Sequence, residues 1–299
     1  MSEGTFDKRI AVIGAGHMGT ALLRGILASG WAVKDNLVAS RPDQSRCAAL
    51  SSQLGIIVTD RNDLAARDAQ IVILAVKPQI LEAVLQEIRP ARDGVFYISI
   101  AAGFPTARIE AALGSSTPVV RAMPNVAAVV RASATVLCAG RGAKPEHLAD
   151  ARRIFESIGM VVELPEYQLD AVTGLSGSGP MYVFQIIEGL SDAGVRVGLS
   201  RAVSTALTIQ TVLGAARMAE ELKIHPGILK DSVTSPGGTA IAALHSLERN
   251  RLRAILMDAV EVATARSKEL GQAAGATPAP TPPIKRPERR QKRPDRRRR

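Results

Sequence analysis

The chain has 299 residues, 46% hydrophobic and 22% charged, with only 3% aromatics. This excludes disordered and fibrous classes, and cores built from Val, Ile, Leu and Ala suit a parallel sheet covered by helices. The net charge of +10 suggests a nucleic-acid binder only until it is located: from Thr277 to Arg299 ten Lys/Arg stand against Glu288 and Asp295, a net of +8, leaving +2 for the rest.

Short apolar runs predict strands at Arg9–Ile13, Asn36–Ala39, Ile71–Val76, Val95–Ile100, Val119–Ala122 and Ala134–Cys138. They are continuous rather than alternating, as strands buried on both faces require. Helical stretches such as Gly19–Ser29 and Ile80–Glu87 lie between them, and that alternation implies a right-handed, doubly wound parallel α/β sheet. After about Pro165 only helices are expected, at Pro180–Ala193, Arg201–Leu222, Ile241–Leu247 and Leu252–Leu270. Pro180 suits a first helical turn and Ser200 a cap. The expected organisation is a nucleotide-binding Rossmann domain over 1–165, an all-helical domain over 166–274, and a disordered basic Pro/Arg-rich tail over 275–299.

Cys47 and Cys138 show no CxxC spacing, and His17, His147, His225 and His245 show no metal spacing, so neither a disulfide framework nor a metal site is expected. The opening MSEGTFDKRI lacks the apolar stretch of a secretory signal, and no run is long enough to span a bilayer, so the expected address is the cytoplasm, with no membrane partner.

The first predicted strand leads into Gly14-Ala15-Gly16-His17-Met18-Gly19, a GxGxxG that opens an apolar helix. Gly14 permits the tight turn, Gly16 lets a pyrophosphate approach the backbone, and Gly19 lets helix pack on strand. NAD-preferring sites place an acid at the end of the second strand. Here Ser40 and Arg41 stand there, and a hydroxyl with a guanidinium suits a 2′-phosphate, so NADP is the expected cofactor. Two further strand ends carry small-residue loops, Ala75-Val76-Lys77-Pro78 and Ala101-Ala102-Gly103, where a flat ring can lie close.

The helical half opens with TGLSGSGP at 173–180, read as a turn of exposed N–H groups in which Ser176 and Ser178 would cradle an anion. A second such loop, VTSPGGTA at 233–240, suits a small carboxylate. No nucleophile–base pair appears. A protonated C=N bond explains that absence, since its positive nitrogen already draws hydride to carbon.

In chain order GAGHMG, AVKPQ at 75–79, SIAAG at 99–103, RAMPN at 121–125, TGLSGSGP and VTSPGG at 233–238 together resemble the pyrroline-5-carboxylate reductase family, over about Arg9 to Leu270. The resemblance implies hydride transfer from NADPH to the ring imine carbon of 1-pyrroline-5-carboxylate, giving L-proline. It also implies that Ile13–Met18 hold the pyrophosphate, Ser40 with Arg41 the 2′-phosphate, and Asn62 the adenosine. Ala75, Val76, Lys77 and Pro78, with Ala101–Gly103, would flank the ribose and nicotinamide. Ser235, Gly238, Thr239 and Ala240 match the family's carboxylate clamp, donated across an interleaved homodimer that assembles into larger rings; Ser235 and Thr239 would act on the reacting ring. One position departs: the family's threonine two places after the glycine pair is Ala240 here, with Thr239 before it. Met181 also stands where alanine is common.

Two enzyme alternatives and one from another class compete. β-Hydroxyacid dehydrogenases share the layout, but their lysine and asparagine are replaced by Val183 and Ile187, so the catalytic amine is missing. A related imine or keto-acid reductase for another small acid is kept open by Ala240. A non-enzymatic nucleotide- or nucleic-acid-binding protein would use the tail, but without aromatics to stack on bases nucleic-acid contact is not expected.

Overall fold

The structure, a computed structural model, describes residues 7–88 and 94–273. The tail expected over 275–299 lies outside the described residues. Eight strands form one sheet in the order β3-β2-β1-β4-β5-β6-β7-β8. They are β1 Ile10–Ile13, β2 Leu37–Ser40, β3 Ile57–Thr59, β4 Ile71–Leu74, β5 Phe96–Ser99, β6 Val119–Met123, β7 Ser133–Ala139 and β8 Gly159–Glu163. The helices packed on or beside it are α1 His17–Ala28, α2 Gln44–Leu54, α3 Asn62–Ala66, α4 Pro78–Glu87, α5 Thr106–Leu113 and α6 Pro145–Glu156. Then follow α7 Leu169–Val172, a π turn Thr173–Gly177, α8 Gly179–Arg196, α9 Arg201–Leu222, α10 Pro226–Ser232, α11 Thr239–Arg249 and α12 Leu252–Ala273.

Alternate residues of each central strand serve opposite faces, as the pleat dictates. Ile10 and Val12 pack with Leu22 and Ile26 of α1 and Ile154 of α6, whereas Ala11 and Ile13 pack with Leu81 and Leu85 of α4 and Ile109 of α5. Both faces are covered, which is why these strands read as unbroken apolar runs. The sheet is the expected doubly wound parallel one, with a single antiparallel pairing, β7 against β6. Only residues 124–132, mostly a 3-10 turn at Val126–Val130, join them, and a parallel pairing would need a longer crossover. With α6 as crossover, β8 then lies parallel to β7.

The helical half is built with its apolar sides outward. Between α8 and α9 runs a seam of small polar groups: Ser191 and Thr205 hydroxyls are 2.7 Å apart, and Ser204 donates to the Ser191 carbonyl at 2.7 Å. Phe184, Leu207, Ile255 and Val262 are 61%, 55%, 57% and 70% exposed. Surface of this kind is a protein interface in waiting. Among the described residues no helix is long and apolar enough to cross a membrane. Cys47 and Cys138 are buried free thiols, and the Cys138 thiol is pushed up to about 11, first by burial and then by the Glu166 carboxylate.

Candidate active site

β1 ends at Ile13, and the chain turns at Gly14 with φ of +94°. The Gly14 and Ala15 N–H groups both bond the Ser40 carbonyl, at 3.1 and 2.7 Å, tying the turn to the end of β2. A Cβ on Gly14 would lie 2.6 Å from Val76 Cγ1 and 3.0 Å from the Ala75 backbone. One on Gly19 would lie 2.7 Å from the Gly14 carbonyl oxygen and 3.1 Å from Val12 Cγ1, so the third glycine is what brings α1 onto β1. At Gly16 a Cβ would meet nothing within 4 Å. Its bareness serves open space, not the fold, and beyond it α1 starts without a side-chain cap. Free N–H groups and the positive end of a helix dipole face that space, the arrangement that binds phosphate.

The space is a cavity of about 350 Å³, lined by Gly16, His17, Thr20, Arg24, Arg41 and Arg46 among others, with no carboxylate in its lining. Arg24 and Arg46 were missed in the sequence, although Arg24 follows His17 by seven residues on one helix face. Ser40 is not in the lining. Its side chain is fully buried, and its hydroxyl donates to Asn62 Oδ1 at 2.7 Å, while Asn62 Nδ2 donates to Glu87 at 2.6 Å. Ser40 thus braces the turn and Asn62, its carbonyl accepting from the Gly14 and Ala15 N–H groups and its hydroxyl donating to Asn62. Asp43 is occupied as the cap of α2, accepting from the Arg46 N–H at 3.2 Å and the Ser45 hydroxyl at 2.6 Å. The Ser45 bond first, then the Arg46 N–H, holds its carboxyl below the usual range.

On the other side of β1 lie, in order, the ends of β4 and β5. Ala75 N–H bonds the Ile13 carbonyl at 2.8 Å, Lys77 is exposed, and Pro78 starts α4. Ala101 N–H reaches Ser99 Oγ at 3.3 Å, Ala102 is half-buried, and Gly103 at φ +69° touches α12, where its Cβ would sit 3.0 Å from the Gly271 nitrogen.

The segment 173–180 is not the open cradle expected. It is a π turn running into α8, with the Ser178 N–H bonded to the Thr173 carbonyl at 2.9 Å and the Ser176 hydroxyl to the Val172 carbonyl at 3.1 Å. The glycine at 174 is demanded by α12, since a Cβ there would lie 2.8 Å from the Val260 carbonyl and strike Thr264. What the segment does is dock: the Ser176 carbonyl accepts from Asn125 Nδ2 at 3.0 Å, beside the end of β6. Asn125, buried and seated by the Ser133 hydroxyl at 3.0 Å, was quoted within RAMPN but given no role.

The second loop turns at Gly237, φ +68°, closed by Gly238 N–H to the Ser235 carbonyl at 3.0 Å, and Thr239 begins α11. Ser235 and Thr239 are exposed, Gly238 and Ala240 half-buried. Among the described residues no hydrogen bond joins this loop to residues 13–19, 40–41, 75–78 or 101–103. Of the expected nucleotide residues, Ala15, Gly16, His17 and Arg41 line the cavity, and Ser235–Ala240 do not.

A family profile described as pyrroline-5-carboxylate reductase dimerisation matches residues 166–270, and one described as NADP oxidoreductase, coenzyme F420-dependent, matches residues 9–103. The pyrroline-5-carboxylate reductase of Methanosarcina acetivorans is 46% identical over 267 residues, 89% of this chain and 99% of that one. That of Pseudomonas aeruginosa is 40% identical, covering 89% and 98%. Among solved structures, the Plasmodium falciparum pyrroline carboxylate reductase with NADP bound superposes with a TM-score of 0.82 at 34% identity, over 90% of this chain and 100% of that one. The Coxiella burnetii pyrroline-5-carboxylate reductase gives 0.83 at 35%, over 89% and 99%. A turn shaped for a dinucleotide, a helical half of the dimerisation type and identity along nearly the whole length agree: this chain is a member of the pyrroline-5-carboxylate reductase family.

Proposed function

We propose that the chain reduces 1-pyrroline-5-carboxylate to L-proline with NADPH, the closing step of proline synthesis, in the cytoplasm. The observation that carries this reading is the Gly14–Gly19 turn opening onto a cavity lined by arginines and no carboxylate. NADPH, when bound, supplies the hydride that adds to the imine carbon. Ile13–Gly19 would seat its pyrophosphate, Arg41 its 2′-phosphate, and Asn62 its adenosine. Ala75–Pro78 and Ala101–Gly103 would hold the nicotinamide end, where small side chains let substrate approach. Residues 1–165 then form the nucleotide domain and 166–274 the helical substrate domain.

The substrate clamp is assigned to a second copy. The exposed apolar faces of α8, α9 and α12 pack against the same faces of a partner, as a homodimer that can build larger rings. Ser235, Gly238, Thr239 and Ala240 of one protomer then complete the other's site opposite Ser176 and Ser178. With Ala240 lacking a hydroxyl, Thr239 would bond the ring nitrogen or carboxylate. Thr239→Ala is expected to weaken transition-state binding by about 1–3 kcal/mol, read in kcat/KM, with the thermal midpoint unchanged. Wild-type kinetics in that variant would remove Thr239 from the site.

The reading is tested by loss of reduced-nicotinamide absorbance on adding pyrroline-5-carboxylate, with NADPH and NADH in parallel. Saturable turnover favouring NADPH is expected, and absence of turnover from protein that binds NADPH would point to another small imine or keto acid. Deleting residues 275–299 should leave turnover within about twofold, since none of the residues assigned to the site lies among them. Loss of activity on that deletion would give the tail a part in the reaction.

A further inference from the structure

We infer that Arg24 and Arg46, together with Arg41, form the pocket for the 2′-phosphate and so set the choice of NADPH over NADH; this rests on the proposed use of NADPH. The three guanidinium groups come from different elements: Arg24 from two turns into α1, Arg41 from just after β2, and Arg46 from the first turn of α2. They line the same cavity as Gly16 and His17. Among the described residues neither Arg24 nor Arg41 has an ion-pair partner, and the Arg41 Nε is buried without an acceptor. Arg46 keeps a long 3.4 Å contact to Asp43, whose carboxylate is already engaged by Ser45 and the α2 backbone.

Several unspent cations around one space, with no anion in the lining, are what a phosphate dianion requires. A ribose 2′-hydroxyl would be served instead by a carboxylate at the end of β2. The pyrophosphate needs none of the three, since the α1 N-terminus and the Gly14–Gly19 turn already face it. Guanidinium groups also match phosphate through paired N–H donors, which an ammonium does not provide.

The test is cofactor affinity by nicotinamide fluorescence, without substrate, for wild type, Arg24→Ala, Arg46→Ala and Arg46→Lys. A charge-assisted hydrogen bond is worth about 1.5–3 kcal/mol, so each alanine variant should weaken NADPH by about ten- to a hundredfold and NADH by less than about twofold. Arg46→Lys should recover part of the loss, and the preference should shrink with added salt. Equal losses for both cofactors, or no loss for either, would overturn the inference. A wild type that binds both cofactors alike would overturn the NADPH reading along with it, whereas a preference that survives in both alanine variants would overturn the inference alone.

Discussion

Replacing Gly14 by alanine is expected to destabilise the fold and abolish cofactor binding, while replacing Gly16 by alanine leaves the fold intact and removes binding alone. The two glycines stand two residues apart in one motif, yet they meet different neighbours. At Gly14 the backbone sits at φ +94°, a region where a side chain costs on the order of 1–3 kcal/mol. The new Cβ would also lie 2.6 Å from Val76 Cγ1 and 3.0 Å from the Ala75 backbone. Ala75 cannot retreat freely, because its N–H is bonded to Ile13 at 2.8 Å. Relief must come from the turn or from the end of β4. Strain and overpacking together suggest a loss of roughly 2–5 kcal/mol.

Gly16 has φ −79°, acceptable for any residue, and a Cβ there meets nothing within 4 Å. Its methyl would project only into the space assigned to pyrophosphate. The measurement is a pair of thermal midpoints with a pair of NADPH titrations. A Gly16→Ala protein that melted early, or that bound NADPH normally, would contradict the division of roles.

The same distinction explains what sequence reading could reach. Strands covered on both faces announce themselves as apolar runs, and β1, β2, β4, β5, β6 and β7 were found within a residue or two of their ends. The edge strands β3 and β8 were not, because Ile57 and Met160 face solvent and no run of buried residues marks them. The dinucleotide turn was legible since Gly14 and Gly19 answer to close neighbours and Gly16 to open space, so the spacing of all three is set. The TGLSGSGP segment was misread as an open loop because the reason for Gly174 lies on α12, eighty-odd residues later. Ser40 was legible from its place at a strand end, whereas its hydrogen bond to Asn62, twenty-two residues on, was not. Arg24 and Arg46 carry no motif at all; a shared cavity makes them neighbours.

The second large effect is expected at the junction of the two halves. Glu166 accepts from the Thr106 N–H and hydroxyl, each at 2.8 Å, and from Arg121 Nη1 at 3.2 Å. Thr106 opens α5 and Arg121 lies in β6, so one carboxylate fastens two elements of the nucleotide half to the start of the helical half. Arg121 is only 5% exposed, and its Nη2 has no partner among the described residues. Glu166→Ala would leave that guanidinium buried without its counter-charge. Removing one member of a buried pair costs about 3–5 kcal/mol, and because Glu166 is itself partly exposed the lower end applies, roughly 3 kcal/mol. For a fold of this size that is a fall in melting temperature of about 6–12 °C. Most of the loss arises from the stranded cation rather than from the missing attraction. Adding Arg121→Met to Glu166→Ala should therefore restore part of the lost stability, although it removes a second polar side chain. If the double variant melts lower than Glu166→Ala alone, Arg121 holds the junction by packing and hydrogen bonding of its own, and the charge argument fails.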